Sequence, residues 1–253
     1  MRSRSVAHGG MKELDDRGRE DHASPGALVK CDDVVRTWER VLLAGESQLA
    51  TVSERSLGLW ERNMGIVAAD ESAEMLVGAA QLVTEMQGKE RNIAAQNTIA
   101  ELVCYSEMIK MGLDYACKHY EKTPGGMIYP NVLAVNAAKY YYAANYHDMI
   151  RNVHDLGGGL VLTQPVEADL RHPEAGPYLR KYMHTRPDVD VEERMRIYNL
   201  IRDYTADAYG GWHQVTTLQA GGGLVAQRIM MNQLFNMEGA KKKAKRAAGI
   251  REK

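Results

Sequence analysis

Two segments of the chain, Asp155-Leu-Gly-Gly-Gly-Leu-Val-Leu-Thr163 and Gln219-Ala-Gly-Gly-Gly-Leu-Val-Ala-Gln227, share the string Gly-Gly-Gly-Leu-Val. A glycine triplet removes every Cβ, so its N–H groups can approach a phosphate, or its backbone can turn through positive φ. For Gly157, Gly158 and Gly159 two readings stand side by side: a cradle for the diphosphate of a nucleotide cofactor, and a helix C-cap. A Gly-x-Gly-x-x-Gly dinucleotide fingerprint has to follow a strand and open a helix, whereas these glycines close one. No Gly-Lys-Ser or Gly-Lys-Thr occurs, which sets aside a Walker phosphate loop. Two matches of five residues do not make a solenoid repeat.

His213 stands beside Trp212, between glycine clusters at 210–211 and 221–223, and suits a pocket for a planar ring. His147 and His154 are seven residues apart, two turns along one helical face. No Glu-x-x-His pair accompanies them, so partly buried or interfacial imidazoles are expected there, and no metal site. Thirteen tyrosines against one phenylalanine is an unusual ratio, and Tyr140, Tyr141 and Tyr142 run consecutively. Three adjacent positions cannot share one helical face, so some of these rings must meet another helix or subunit.

The elements that must hold these groups are helical. Residues 1–26 show neither helical nor strand periodicity and read as a mobile or partner-dependent arm. Residues 27–46 carry β-branched residues around Asp32 and Asp33, which predicts one or two short strands, the remnant of a sheet whose other strands are missing. From about residue 47 to 240 the apolar period is that of a helical bundle. One stripe runs through Leu76, Ala79, Ala80 and Val83 to Gly88. A second passes through Ile99, Leu102, Val103, Ile109, Leu113, Ala116 and Cys117. Pro130 opens a third, through Val135, Ala138, Tyr142, Tyr146, Met149, Val153 and Leu156. Four prolines between 163 and 190 leave only short helical pieces. Asp190 is an N-cap for a helix over 191–209, which Gly210 and Gly211 end. A last helix starts near Leu224 and runs into the basic tail at 241–253.

Composition narrows the class. Thirty-two basic against thirty-three acidic side chains give a net charge of -1, so no global field favours nucleic acid. No apolar run approaches the roughly 20 residues that cross a bilayer, and membrane association is not expected. Three cysteines, Cys31, Cys104 and Cys117, make neither a Cys-x-x-Cys pair nor an even set, and no leader pattern opens the chain. A cytoplasmic location follows as the expectation.

Several blocks, taken in order, resemble one family. Cys31-Asp-Asp-Val-Val-Arg-Thr-Trp-Glu-Arg-Val-Leu-Leu-Ala-Gly-Glu46 looks like the strand and turn that close the β domain of the 4-hydroxyphenylacetate 3-hydroxylase and 4-hydroxybutyryl-CoA dehydratase family. Lys139-Tyr-Tyr-Tyr-Ala-Ala-Asn-Tyr-His147, Asp155 to Pro165, Pro177-Tyr-Leu-Arg-Lys-Tyr182 and Ala226-Gln-Arg-Ile-Met230 resemble its C-terminal domain. The resemblance implies a mainly α, acyl-CoA dehydrogenase C-terminal-like bundle, one of three domains that surround FAD. It further implies a homo-oligomer paired through the bundles, a partner chain supplying the N-terminal and β domains, and a flavin reductase. Arg62, in Glu61-Arg-Asn-Met-Gly-Ile-Val-Ala-Ala-Asp70, and Gly157, Gly158 and Gly159 match the family's cofactor-contact positions. Thr163 in the same block and His213 complete the cofactor-binding candidates. A guanidinium fork and bare N–H groups both suit a diphosphate.

The departures shape the expected function. The dehydratase branch holds an iron–sulfur cluster with a cysteine from the region around 61–71, and this chain has no cysteine between Cys31 and Cys104. The hydroxylase branch takes most of its phenol-binding and proton-handling residues from the two earlier domains, so no catalytic residue carries over. The expectation is the C-terminal part or subunit of an FAD-dependent oxidoreductase most like 4-hydroxyphenylacetate 3-monooxygenase. The alternatives are a dehydratase-like or vinylacetyl-CoA isomerase-like enzyme without the usual cluster ligands, and a non-catalytic oligomerisation module.

Overall fold

A computed structural model describes residues 30–250. The expected arm at 1–26 lies outside them. Three long helices make the frame: α1 (Ser47–Met86), α2 (Ile93–Lys118) and α3 (Val132–Gly157), each packed on the other two. Between α2 and α3 sits an antiparallel hairpin of β1 (Glu121–Lys122) and β2 (Ile128–Tyr129), in which Glu121 pairs with Tyr129. The short helices α4 (Leu160–Thr163), α5 (Glu167–Arg171) and α6 (Ala175–Met183) fill the proline-rich stretch. Then come α7 (Val191–Thr205), α8 (Ala208–Gln219), α9 (Leu224–Leu234) and α10 (Met237–Ala247). Helix α7 packs on α1 and α8, and α9 lies along α3.

Most of the predicted stripe positions lie in the core. Leu76, Val83, Leu102, Ile109, Val135 and Val153 are fully buried, as are the inward tyrosines Tyr142 and Tyr146 to within a few per cent, and Ile66 and Ile201, outside the predicted stripes, join them. Asn92 and Asn131 cap α2 and α3, their side chains accepting from Ala94 and Ala95 and from Ala134 respectively. Pro130 therefore stands just before the cap and does not itself open the helix. A Cβ on Gly112 would come within 2.7 Å of the Ala138 Cβ, so glycine is what lets α2 and α3 cross this closely. Val103 and Cys117, expected on the buried stripe of α2, are exposed instead.

Three expectations are corrected. Residues 30–46 form no strand. Thr37 and Val41 have extended backbone, but no neighbour pairs with them, and Trp38–Arg40 is a single 3-10 turn. Two strands without a sheet to join have nothing to satisfy their backbone groups. Gly210 and Gly211 do not end α7; the break falls at Ala206 and Asp207, and both glycines lie inside α8. A Cβ on Gly210 would meet the Thr205 backbone at 2.7 Å, so this glycine serves the tight α7–α8 corner. The last helix is two: Phe235 and Asn236 separate α9 from α10, and Asn236 caps the latter by accepting from Gly239 N–H.

Helix α1 is 40 residues long, against 26 each for α2 and α3. At 1.5 Å per residue it overhangs them by roughly 20 Å. No residue before Leu59 is buried on it. No helix among the described residues is long and apolar enough to cross a membrane.

Candidate functional site

Arg62 points from the middle of α1 at the turn between α8 and α9. Its Nε donates to the Gly221 carbonyl at 2.6 Å. Gly221 and Gly222 adopt φ of +69° and +93°, which L side chains rarely do. Space is as limiting as conformation, because a Cβ on Gly221 would stand 2.9 Å from Arg62 Cγ, and one on Gly222 would stand 3.3 Å from Arg62 Nη2. The second glycine triplet is thus folded directly onto the guanidinium.

A second cation joins from α3. Lys139 is 1% exposed, and its ammonium donates to the Thr217 carbonyl and sits 4.5 Å from the centre of the Tyr142 ring. Thr217 belongs to the last turn of α8, where carbonyls lack helical partners and the helix dipole is negative. Lys139 and Arg62 therefore close that end of α8 together. Burial lowers the pKa of both, and Arg62 adds repulsion at Lys139, whose value falls to about 8. Gln227, wholly buried, donates to the Gly222 carbonyl, leaving its Oε1 without a partner, as is Asn63 Oδ1. Across the turn, Gly223 offers α9 no side-chain cap; the Ala226 N–H donates to the Gly223 carbonyl at 2.9 Å, which leaves the Leu224 and Val225 N–H groups of the first turn as donors. Bare amides, a guanidinium and a buried ammonium at one corner suit an anion with several oxygens.

His213 lines a cavity of about 260 Å³ beside this corner. Its Nδ1 shares a 2.7 Å hydrogen bond with the Tyr146 hydroxyl, and the rings of Tyr204 and Tyr209 lie 4.9 and 5.8 Å from its own. Burial lowers the imidazole pKa and raises that of the Tyr146 phenol, so the pair is neutral at pH 7. Gly65, Ala68, Ala69 and Ser72 form the opposite wall, a flat face of α1. A slot with aromatic groups on one side and small residues on the other fits a planar ring.

Gly157, Gly158 and Gly159 lie elsewhere. Gly158, at φ +68°, ends α3, its N–H donating to the His154 carbonyl at 2.7 Å. The Gly157 carbonyl accepts from the Tyr198 hydroxyl, and the Thr163 hydroxyl donates to the Gly159 carbonyl. Gln87, at the end of α1, donates to the neighbouring Leu156 carbonyl at 3.0 Å. Gln87 follows Arg62 by 25 residues along α1. That is roughly 37 Å of helix. The structure therefore does not bring Arg62 to the first triplet and Thr163; it brings Arg62 to the second triplet, with His213 in the adjoining cavity.

Sequence reasoning missed Gly221, Gly222, Lys139 and Gln227 as site residues. For Lys139 the signal was present: a lysine four residues after Val135 and three before Tyr142 sits on the apolar stripe. His147 is exposed, while His154 pairs with Thr205 Oγ1 at 2.7 Å. No group of three or more His, Cys, Asp or Glu gathers for a metal among the described residues.

A family model described as HpaB, 4-hydroxyphenylacetate 3-hydroxylase C terminal, matches residues 61–249. The 4-hydroxybutyryl-CoA dehydratase/vinylacetyl-CoA-Δ-isomerase of Clostridium aminobutyricum is 25% identical over 246 residues, 93% of this chain and 50% of that protein. The 4-hydroxyphenylacetate 3-monooxygenase oxygenase component of Thermus thermophilus is 27% identical over 185 residues, 72% of this chain and 38% of that protein. This chain thus spans half or less of the length of these relatives. Among solved structures, an oxygen-tolerant archaeal 4-hydroxybutyryl-CoA dehydratase from N. maritimus superposes with a TM-score of 0.78 at 29% identity, over 85% of this chain and 43% of that one. The HpaB oxygenase component complexed with FAD and 4-hydroxyphenylacetate gives 0.77 at 23% identity, over 85% and 45%, a likeness of fold.

Proposed function

Because this chain belongs to the 4-hydroxyphenylacetate 3-hydroxylase C-terminal family, we propose that it is the cofactor-gripping helical part of an FAD-dependent aromatic monooxygenase, most like 4-hydroxyphenylacetate 3-monooxygenase. The observation that carries this reading is Arg62 seated on the Gly221–Gly222 turn beside the uncapped start of α9. That corner holds the flavin diphosphate: the guanidinium and the Leu224 and Val225 amides donate to its oxygens, and glycine at 221 and 222 keeps side chains out of the way. FAD, when bound and reduced by a reductase, supplies the dioxygen chemistry; the chain's residues bind and orient it and keep water away. Gly157, Gly158, Gly159 and Thr163 lie roughly 37 Å along α1 from Arg62 and do not reach the same diphosphate within one copy of the chain. His213 faces the adjoining slot.

The substrate pocket and the other wall of the flavin come from polypeptide outside this chain. The overhang of α1, with Leu49, Val52 and Leu57 exposed, and the unpaired segment bearing Val35, Trp38 and Leu42 are the surfaces it covers. A second copy packs on the groove between α2 and α3, about 690 Å³ and lined by Met108, Met111, Tyr115, Tyr141 and Leu234. The test is co-expression with the N-terminal and β domains of a relative. The expected result is a yellow complex that hydroxylates 4-hydroxyphenylacetate when a flavin reductase is added; a colourless complex at micromolar FAD overturns the reading.

The 246-residue alignment to the dehydratase favours a second reading, a CoA-ester dehydratase of altered iron chemistry. Iron and sulfide analysis of anaerobically purified complex separates the two, since a stoichiometric cluster belongs to the second alone.

A further inference from the structure

Lys139 carries more positive charge into the bundle than its surroundings neutralise. Its ammonium meets one carbonyl, one aromatic face and the repulsion of Arg62. The charged or titratable groups around it are Arg62 and Glu61 on α1, Tyr142 and Tyr146 on α3, Tyr105 on α2, Tyr204 on α7, and Tyr209 and His213 on α8. Helix α9 turns the uncharged Gln227 to this corner, while its Arg228 lies on Tyr140 at the outer side of α3. Glu61 is the one carboxylate among them, and it is exposed. What Lys139 does hold is the carbonyl end of α8, from which the 220–224 turn departs toward Arg62.

We infer that Lys139 is the positioning residue of the 220–224 turn, and that its protonation state sets how tightly the turn grips an anion. The identity of that anion as a flavin diphosphate rests on the function proposed above; the holding of the turn does not. Charged, Lys139 donates a charge-assisted hydrogen bond to Thr217 O and adds a second positive centre behind Arg62. Neutral, it keeps at best an ordinary hydrogen bond and adds no field. With burial and Arg62 placing its pKa at about 8, the change falls just above neutral pH, where Arg62 stays charged and the phenols of Tyr105, Tyr142 and Tyr146, shifted upward by burial, stay neutral.

Two measurements on the full chain test this. The first is amide hydrogen exchange of peptides covering 216–227 without ligand, corrected for the intrinsic pH dependence of exchange. Wild type is expected to lose protection about tenfold between pH 7 and pH 9. Lys139→Arg is expected to stay protected across that range, and Lys139→Met to be unprotected throughout. The second is FAD titration of the chain in complex with the co-expressed N-terminal and β domains of a relative, followed by quenching of flavin fluorescence, in which wild-type affinity falls about tenfold over the same interval while Lys139→Arg holds its pH 7 value. Exchange that changes with pH equally in all three proteins overturns the inference even if FAD binds. Absence of FAD binding at every pH, with exchange behaving as described, overturns the flavin assignment and leaves the positioning role standing. A helix that merely needs a long side chain at 139 predicts identical pH profiles for lysine and arginine, which also sinks the proposal.

Discussion

At glycines 157–159 the chain ends α3 and turns outward, whereas at glycines 221–223 the same Gly-Gly-Gly-Leu-Val string turns inward onto α1. Around Gly158 and Gly159 nothing stands within 4 Å of a built Cβ; around Gly221 and Gly222 the Arg62 side chain does. The first triplet works as a helix stop, the second as a contact between three helices and a guanidinium. Glycine content alone cannot tell the two uses apart, because the backbone freedom is common to both and only the neighbours differ.

The sharpest way to break this comparison is to place a methyl group in each triplet. Gly221→Ala combines a left-handed backbone with a Cβ pressed to 2.9 Å from Arg62 Cγ and 3.3 Å from its backbone N. A loss of about 2–4 kcal/mol is expected in urea unfolding. Gly159→Ala, at φ −60° and in open space, is expected to gain a few tenths of a kcal/mol, about 0.4–1. Equal losses at both sites end the distinction.

The next largest effect concerns binding. Arg62→Ala removes the guanidinium from the second triplet and is expected to weaken FAD about 10- to 100-fold, the worth of a hydrogen bond to a charged group. Thr163→Ala, whose hydroxyl serves only the Gly159 carbonyl, is expected to leave FAD affinity unchanged. Gly158→Ala sharpens the comparison from the other side. Its φ of +68° in open space costs strain without a clash, so a loss of about 1 kcal/mol with no change in flavin binding is expected.

How far the sequence could lead is visible at particular residues. The stripes through Leu76, Val83, Leu102, Val135 and Val153 were legible because each follows the 3.6-residue period of a face that must be dry. Asp190 was legible as a cap, and its side chain accepts from Glu192 and Glu193 N–H. Arg62 stood out by its place in a family block, but its partner did not, since contact between residues 159 positions apart leaves no local period. Gly210 misled for a related reason: a glycine needed for close approach to Thr205 looks, in sequence, like one that ends a helix. Residues 31–46 had strand composition, yet a strand exists only where a neighbour pairs with it.

The smallest effect is in acid, and it places one titrating group near each triplet. His154 gives its carbonyl to Gly158 N–H and its Nε2 to Thr205, while His213 pairs with Tyr146 beside the second triplet. Burial lowers the pKa of both. In the unfolded chain each takes a proton near its ordinary value of about 6.5. Between that value and the lower folded one, the unfolded state therefore binds more protons, so stability rises with pH through this window and is complete above it. A midpoint in urea that falls as pH drops below about 6.5, and less so in His154→Gln and His213→Gln, is the expected result. Because acid unfolding at His213 opens the aromatic wall while that at His154 opens the α3 stop, hydrogen exchange at 208–220 should recover in His213→Gln and at 154–163 in His154→Gln. A loss confined to one triplet in both variants would show that a single end of the bundle carries the acid sensitivity.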